Sequence, residues 1–225
     1  MPSRPAKIPG AAIFLPASHS LPILRKAVQV CRGCDLFRNA TQAVFGEVIG
    51  RKSAQAQMMM VGEQPGDHED KEGHPFVGPA GRLLDRCLEE AEINRRGVYV
   101  TNAVKHFKWE SRGKARLHKK PNASEIFACS PWLRAEVEAV RPRLIVCLGA
   151  TAAQSLLGAA FRVTRSHGTV QHAEGWPPIL ATTHPAFILR ARTDDDRHRQ
   201  TADFIEDLRN ARRFLSSAAE AQAAD

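Results

Sequence analysis

Short apolar segments alternate along the chain with longer segments whose apolar residues recur at helical spacing. The short segments predict buried strands at residues 57–61, 97–101, 143–148 and 178–182. The longer segments predict helices at residues 80–93, 124–141, 150–157 and 195–215, with Ser124 as the expected N-cap of the second. Strands that alternate with helices form a parallel sheet covered on both faces. We therefore predict an α/β fold, a three-layer α/β/α arrangement around a central, four-stranded, mainly parallel sheet.

This pattern places a single domain at residues 21–215. Residues 1–20 are rich in Pro and Ala and predict an irregular arm, and residues 216–225 predict a flexible tail. No apolar stretch approaches the roughly 18 residues of a membrane-spanning helix. The early apolar run is broken by Pro16 and makes a poor signal peptide. We expect a monomeric, cytoplasmic protein with no membrane partner.

Polar and turn-forming residues follow three of the predicted strands. Gly62–Asp67 follows the first strand, Asn102–Lys108 follows the second, and His184–Ala186 follows the fourth. In parallel sheets, ligands bind beyond the carboxyl ends of the strands. The three segments are therefore expected to meet in one cleft.

The charge of the chain favours an anionic partner. Lys and Arg number 32 against 24 Asp and Glu, which gives a net charge of +8. From Lys105 to Lys120 there are seven Lys or Arg residues and two His, but one carboxylate. Such a segment is often a solvated loop. Phe107 and Trp109 are interleaved with these charges, and cations with aromatic rings suit the phosphates and bases of nucleic acid.

Five cysteines are present, and an odd number without a secretory signal argues against a disulfide framework. Cys31 and Cys34 form a C-x-x-C pair, whereas Cys129 and Cys147 lie in a predicted helix and at the end of a predicted strand. Four thiolates gathered from these segments would bind either Zn²⁺ or a four-iron cluster. One close pair with two dispersed cysteines favours the cluster. Cys87 lies on an apolar helix face and predicts packing in the core.

Several side chains of the predicted cleft have both a structural and a functional interpretation. Glu63 and Gln64 stand at a strand end, where polar groups are costly without a partner. Asn102 suits either a satisfied buried amide or the polar edge of a nucleobase. Phe76 lies in a Gly/Pro loop, where an aromatic ring stacks on flat ligands. A lone histidine such as His184 is more often structural, so convergence at one edge is what favours a binding site.

His118 has a different setting, because it lies among the cations Arg116, Lys119 and Lys120. Neighbouring positive charges favour the neutral imidazole, which is the nucleophilic form. The sequence therefore offers His118 as a candidate nucleophile.

Together these motifs resemble the uracil-DNA glycosylase superfamily. The resemblance is to its iron–sulfur branch, specifically to the X-type enzymes that cross-link themselves to uracil-containing DNA, and it spans residues 31–214. It is carried by the four cysteines and by Gly62-Glu-Gln-Pro-Gly, Gly73-His-Pro-Phe-Val-Gly-Pro-Ala-Gly, Val100-Thr-Asn-Ala-Val-Lys-His-Phe-Lys and His184-Pro-Ala. The X-type loop reads Lys-Arg-Arg-Ile-His in the type member and Lys114-Ala-Arg-Leu-His118 here. Ala115 and Leu117 are thus departures, whereas the final histidine is retained.

The resemblance implies an enzyme that excises uracil from single-stranded DNA or from a flipped-out nucleotide. It implies that Phe76 stacks on the uracil, that Asn102 reads its polar edge and that His184 stabilises the departing anion. His118 would capture C1′ of the sugar in a stable covalent bond, with Glu63 orienting or polarising it.

The resemblance also implies a wider substrate-binding set and a cofactor. Gln64, Asp67 and Arg116 would complete the contacts to uracil-containing DNA. A structural 4Fe-4S cluster would be bound by the four cysteines named for the resemblance: Cys31, Cys34, Cys129 and Cys147.

Two alternatives remain at this point. One is a conventional hydrolytic uracil-DNA glycosylase that releases a free abasic site, which the two loop substitutions favour. The other is a non-catalytic iron–sulfur protein that binds DNA. It leaves four residues without a role: Glu63, Gln64, Asn102 and His184.

Overall fold

The structure is a computed structural model that describes residues 9–48 and 56–223, with side chains as far as residue 218. Its strands are β1 (Met58–Gly62), β2 (Val98–Asn102), β3 (Trp109–Arg112), β4 (Ala115–His118), β5 (Leu144–Leu148), β6 (Val170–Gln171) and β7 (Ile179–Thr182). Five of them form one sheet in the order β2-β1-β5-β7-β6, and β3 and β4 form a separate hairpin.

The central sheet is parallel except at one edge. β1 pairs in parallel with β2 and β5, and β5 pairs in parallel with β7. Every residue of these four strands is buried, as their near-continuous apolar sequences predict. The α/β fold with a mainly parallel sheet is confirmed. A fifth strand, β6, runs antiparallel to β7 and was not predicted, because two residues are too short to form a pattern.

Helices cover both faces of this sheet. They are α1 (Leu21–Val28), α2 (Asp67–Glu72), α3 (Pro79–Glu90), α4 (Ala123–Val140), α5 (Ala150–Leu157), α6 (Val163–Ser166), α7 (Pro185–Ile188) and α8 (Asp194–Ala223). α3, α7 and α8 pack through residues such as Leu84 and Phe204 on one face. α4 and α5 pack through Leu133 and Ala153 on the other. These three layers bury the core and leave the carboxyl edge of the sheet open.

The N-terminal segment adds a further layer outside α4. Leu24 and Val28 of α1 pack with the fully buried Trp132 of α4. Residues 9–20, predicted as part of an irregular arm, hold a 3₁₀ turn at Ala12–Phe14, and Ala11 is buried in the same cluster. Residues 1–8 of the predicted arm lie outside the described residues.

Two predicted helix ends differ from the structure. α8 continues to Ala223, so residues 216–223 of the predicted flexible tail are helical, and residues 224–225 lie outside the described part of the chain. α4 is capped by Asn122 rather than Ser124. The Asn122 side chain accepts from the backbone N–H of Glu125 at 2.9 Å, and the Glu125 carboxylate accepts from the Asn122 N–H at 2.7 Å. This reciprocal capping box fixes the start of the helix two residues earlier.

No helix within the described ranges has the length and apolar character needed to cross a bilayer.

Candidate active site

A cavity of about 510 Å³ opens at the carboxyl edge of the sheet. The segments after β1, β2 and β7 meet there, as the strand pattern predicts, and the loop with Phe76 and the hairpin join them. The predicted site residues that line the cavity are Glu63, Gln64, Phe76, Asn102, His118 and His184. The structure therefore brings six of the predicted side chains into one site.

One wall of the cavity holds an aromatic ring close to an amide. Phe76 has a positive φ of 59°, which is uncommon for a residue other than glycine, and Asn102 is 3% exposed at the end of β2. A Cβ atom at Gly62 would lie 2.8 Å from Cζ of Phe76 and 2.3 Å from Oδ1 of Asn102. Glycine at position 62 therefore makes room for both groups, which can stack on and read a planar ligand.

His184 presents a hydrogen-bond donor to the cavity. It caps α7, and its Nδ1 accepts from the backbone N–H of Ala186 at 3.0 Å, so the proton of the neutral ring is on Nε2. Burial, together with the nearby Arg190 and His118, lowers the pKa of His184 to about 4. The neutral ring lies 6.3 Å from the Phe76 ring at an interplanar angle of 26°. A neutral donor beside a stacking ring is suited to charge that develops on a bound base.

His118 lies at the end of β4 and is half-exposed at the mouth of the cavity. Its Nε2 accepts a hydrogen bond from the side-chain amide of Gln64 at 2.9 Å and lies 3.6 Å from Oε1 of Glu63. Partial burial lowers the pKa of His118, as does Arg190, whereas Glu63 acts in the opposite direction. The ring is therefore neutral at pH 7, with its lone pair on the nitrogen that faces Gln64 and Glu63.

Gln64 fixes the base of the hairpin as well as the imidazole. Its Oε1 accepts from the backbone N–H of Lys108 at 3.0 Å, and its Nε2 donates to the carbonyl of Lys119 at 2.9 Å. Because Oε1 is the acceptor, Nε2 is the atom that donates to His118. The two ends of the hairpin are thus held against the end of β1 by one buried amide.

Asp67 and Arg116, predicted to contact the substrate, do not line the cavity. They bind each other, with Nε of Arg116 at 2.5 Å from Oδ1 of Asp67, and the same guanidinium lies 2.6 Å from Oδ2 of the buried Asp70. The guanidinium also lies 5.4 Å from the ring centroids of both Phe107 and Trp109. Arg116 therefore locks the hairpin that carries His118 onto α2. Spacing in the sequence could not distinguish this internal ion pair from a contact to DNA.

Three of the predicted cluster ligands lie together. Cys31, Cys34 and Cys129 are buried in one group beside Trp132. The indole N–H of Trp132 donates to Sγ of Cys31 at 3.2 Å, and the backbone N–H of Lys105 donates to Sγ of Cys129 at 3.3 Å. Burial raises the pKa of Cys129 to about 12. The Cys129 thiol is therefore protonated at neutral pH, and it would lose its proton on binding a metal ion.

Cys147 is not part of this group, and its prediction as a fourth ligand is wrong. It is fully buried in β5 between Val61 and Ala181, and its side chain packs in the core formed with α4 and α5. Burial alone raises its pKa, whereas the pKa of Cys129 also responds to Cys31 and Cys34. The apolar run of β5 is buried on both faces, so the sequence did not show which face Cys147 takes. Cys87, predicted to pack in the core, does so.

Lys105 connects the cysteine group with the cavity. Its fully buried ammonium donates to Oγ1 of Thr101 at 2.8 Å and to the carbonyl of Asn102 at 2.7 Å, and it pairs with the buried carboxylate of Glu136. The next residue, His106, is 5% exposed. Sequence analysis missed both residues, because a lysine and a histidine in a basic segment predict solvent exposure.

Two further residues of the cavity wall were also missed. Oγ1 of Thr151 donates to Oε2 of Glu63. The Glu69 carboxylate accepts from the backbone N–H of Gly66 at 3.0 Å and of Gly78 at 2.8 Å. The spacing of Glu69, three residues after Gly66, is that of a capping box and could have indicated its role. Nothing in the sequence around Thr151 indicates its contact with Glu63.

Comparison with known proteins agrees with this geometry. The family profile described as "Uracil DNA glycosylase superfamily" matches residues 49–209. The chain belongs to this superfamily. The matched range of this superfamily member includes every cavity residue named above, and Cys31 and Cys34 lie outside it.

Similar proteins carry matching names. The chain is 34% identical to a Type-4 uracil-DNA glycosylase of Thermotoga maritima over 86% of this chain and 93% of that protein. It is 36% identical to a Type-4 uracil-DNA glycosylase of Archaeoglobus fulgidus over 76% of this chain and 83% of that protein. A Type-5 uracil-DNA glycosylase of Pyrobaculum aerophilum is 34% identical over 58% of this chain and 62% of that protein.

Proposed function

We propose that this superfamily member excises uracil from DNA and is left covalently bound to C1′ of the sugar through His118. The observation that carries this proposal is the position of the imidazole. A neutral histidine presents its Nε2 lone pair at the mouth of the cavity, beside a carboxylate and opposite a slot for a planar base.

The base-binding part of the proposal rests on Phe76, Asn102 and His184. A uracil flipped into the cavity stacks on the Phe76 ring, and the Asn102 amide donates and accepts at its polar edge. Nε2–H of His184 donates to a carbonyl oxygen of the base. Because this ring is neutral, it stabilises the developing negative charge without transferring a proton.

The covalent step follows in two parts. The bond between C1′ and N1 of uracil breaks, and its electron pair stays on N1, so that uracil leaves as an anion and takes a proton from water. The Nε2 lone pair of His118 then forms a bond to C1′, and the imidazolium loses its Nδ1 proton to solvent. Glu63, 3.6 Å from this nitrogen, stabilises the positive charge on the sugar and the ring. The hydrogen bond from Gln64 to Nε2 is released before the attack.

A 4Fe-4S cluster held by Cys31, Cys34 and Cys129 forms the second part of the proposal. Two of these thiols accept N–H hydrogen bonds of the kind that stabilise cluster sulfurs, but the described residues contain no preassembled group of three or more metal ligands. Cys147 packs in the core between the sheet, α4 and α5, so we assign three protein ligands from the described residues. When bound, the cluster would cross-link Cys31 and Cys34 of the N-terminal layer to Cys129 of α4.

One gel experiment tests the proposed chemistry. The purified protein is incubated with a labelled single-stranded oligonucleotide that contains one uracil, boiled in detergent, and run on a denaturing gel. We expect a shifted band that is absent when thymine replaces uracil. Strand cleavage by alkali at the uracil, without a shifted band, would instead identify a hydrolytic glycosylase that releases an abasic site. Binding with neither product would identify a non-catalytic DNA-binding protein.

A further inference from the structure

A single hydroxyl connects the first turn of α5 with Glu63. Oγ1 of Thr151 donates to Oε2 of the Glu63 carboxylate. Thr151 is 5% exposed, and the Glu63 side chain is 21% exposed. Thr151 lines the cavity beside Glu63, and its hydroxyl proton is used in the bond to that carboxylate.

The turn between β5 and α5 determines this placement. Gly149 has a φ of +88°, and a Cβ atom there would lie 2.9 Å from Cβ of His184. Only glycine allows the chain to pass this close to His184 and to begin a helix at the next residue. The first turn of α5 thereby reaches the end of β1, where Glu63 stands.

The bond from Thr151 gives the two oxygens of the Glu63 carboxylate different partners. Oε2 is held by Thr151, and Oε1 is the atom that lies 3.6 Å from Nε2 of His118. Without the hydroxyl, the carboxylate is free to rotate about its last torsion angle, which is broad and weakly restricted for Glu.

We propose that Thr151 is a positioning residue for the capture of C1′, acting through Glu63 rather than on the DNA. This inference rests on the function proposed above. The hydroxyl orients Oε1 toward His118, so that the negative charge is in place when the imidazole and the sugar become positive.

If the Thr151 hydroxyl only stabilised its own helix, it would bond to a backbone carbonyl of that helix. Helical Ser and Thr hydroxyls commonly bond to a backbone carbonyl of the preceding turn. Ser155, on the same helix, does so, and donates to the carbonyl of Ala152 at 2.7 Å. Thr151 donates to a side chain 88 residues away in sequence. Ser155 thus provides a matched control that removes a hydroxyl from α5 without touching Glu63.

The test compares T151V, T151S and S155A in single-turnover assays with protein in excess over uracil-containing DNA. For T151V we expect adduct formation to slow by about ten- to hundredfold, the range for one hydrogen bond to a charged group. DNA affinity should stay at the wild-type value. T151S, which keeps the hydroxyl, and S155A should react at rates close to that of the wild type. A wild-type rate for T151V, or an equal loss in T151S, would overturn the proposal.

A pH profile and a double-mutant cycle separate positioning from simple destabilisation. When the Glu63 carboxylate turns away from His118, the acid limb of the rate profile should move to lower pH, because Glu63 raises the pKa of that histidine. In an E63Q background, T151V should have little further effect on the rate, since both changes remove the same oriented charge. Additive losses in E63Q/T151V would contradict the inference, and T151A replaces T151V in the cycle if the valine variant does not fold.

The same series separates this inference from the function on which it rests. If the wild type releases uracil without an adduct, the covalent function fails, and the rate of uracil release still reports whether Thr151 acts through Glu63. If the wild type forms no adduct and releases no uracil, the proposed function fails before any variant is compared.

Discussion

The side-chain amide of Gln64 donates to Nε2 of His118 at 2.9 Å, so the lone pair proposed to attack the sugar is occupied in the free protein. This hydrogen bond holds the ring in place at the mouth of the cavity. It also means that attack requires an exchange of partners, in which the imidazole leaves the amide as it approaches C1′. Gln64 thus restrains His118 in the free protein, and the proposed attack begins when this hydrogen bond breaks.

Replacing His118, the proposed nucleophile, tests this relationship directly. We expect H118S to lose the heat-stable DNA adduct to below detection, because a serine hydroxyl is shorter and a weaker nucleophile than imidazole. The smaller side chain admits water to C1′, so an alkali-sensitive abasic site should accumulate instead. Both products are measured on the same denaturing gel. A persisting adduct in H118S would show that another residue attacks the sugar.

The buried, neutral His184 predicts an acid-sensitive fold. Its pKa is about 4 in the folded protein and about 6.5 when exposed, so the unfolded chain binds the extra proton first as pH falls. Stability from this group is complete above pH 6.5 and is lost as pH falls toward 4, by about 1.4 kcal/mol for each pH unit between these values. Thermal unfolding midpoints between pH 7 and 4.5 measure this loss.

The matched variant for this measurement is H184N. Asparagine keeps the cap of α7 but does not titrate in this range. The unfolding midpoint of H184N should therefore change less with pH than that of the wild type. Parallel pH curves for the two proteins would assign the acid sensitivity to other groups.

Replacing Cys129 and replacing Cys147 should have different effects on the proposed cluster. C129A should lose the brown colour of an iron–sulfur cluster and unfold at a lower temperature, because the thiol lies with Cys31 and Cys34. C147A should keep the colour and lose only about 1 kcal/mol of stability, the cost of a small cavity in the core. Visible spectra and iron content of the two variants measure the difference. Loss of colour in C147A alone would reverse our assignment.

The ion pair between Arg116 and Asp70 should stabilise both the fold and the position of the hairpin that carries His118. R116M leaves the buried Asp70 carboxylate without its cationic partner, which should cost about 3 kcal/mol. The hairpin should loosen, and adduct formation should slow because His118 is less well placed. The exposed Arg112 on the same hairpin provides the control R112M, which should leave both the unfolding temperature and the rate near the wild type. Equal unfolding temperatures and rates for the two variants would show that Arg116 does not anchor the hairpin.

The sequence predicts the cleft well because the positions of the strands and of their ends follow from local patterns. β1, β2, β5 and β7 are apolar runs bounded by turns, and the polar residues after them must meet at one edge of a parallel sheet. Roles that depend on side-chain direction are not local. Cys129 and Cys147 are both buried, and only tertiary packing places Cys147 in the core against α5 and Cys129 beside Cys31.

The same limit applies to charged residues. Asp67 and Arg116 have the composition of a DNA contact, and their mutual pairing arises because the hairpin folds back on α2. Lys105 is the extreme case, since a fully buried lysine in a basic segment gives no signal that distinguishes it from its solvated neighbours.

Lys105 has a consequence for the molecule as a whole. Its backbone touches Cys129 and its side chain holds the carbonyl of Asn102, so one residue joins the cysteine group to the edge that would read a base. A movement of the cysteine group would therefore be passed through Lys105 to Asn102 at the cavity. A change at the cysteine group is thus expected to change how well the proposed base is recognised at Asn102.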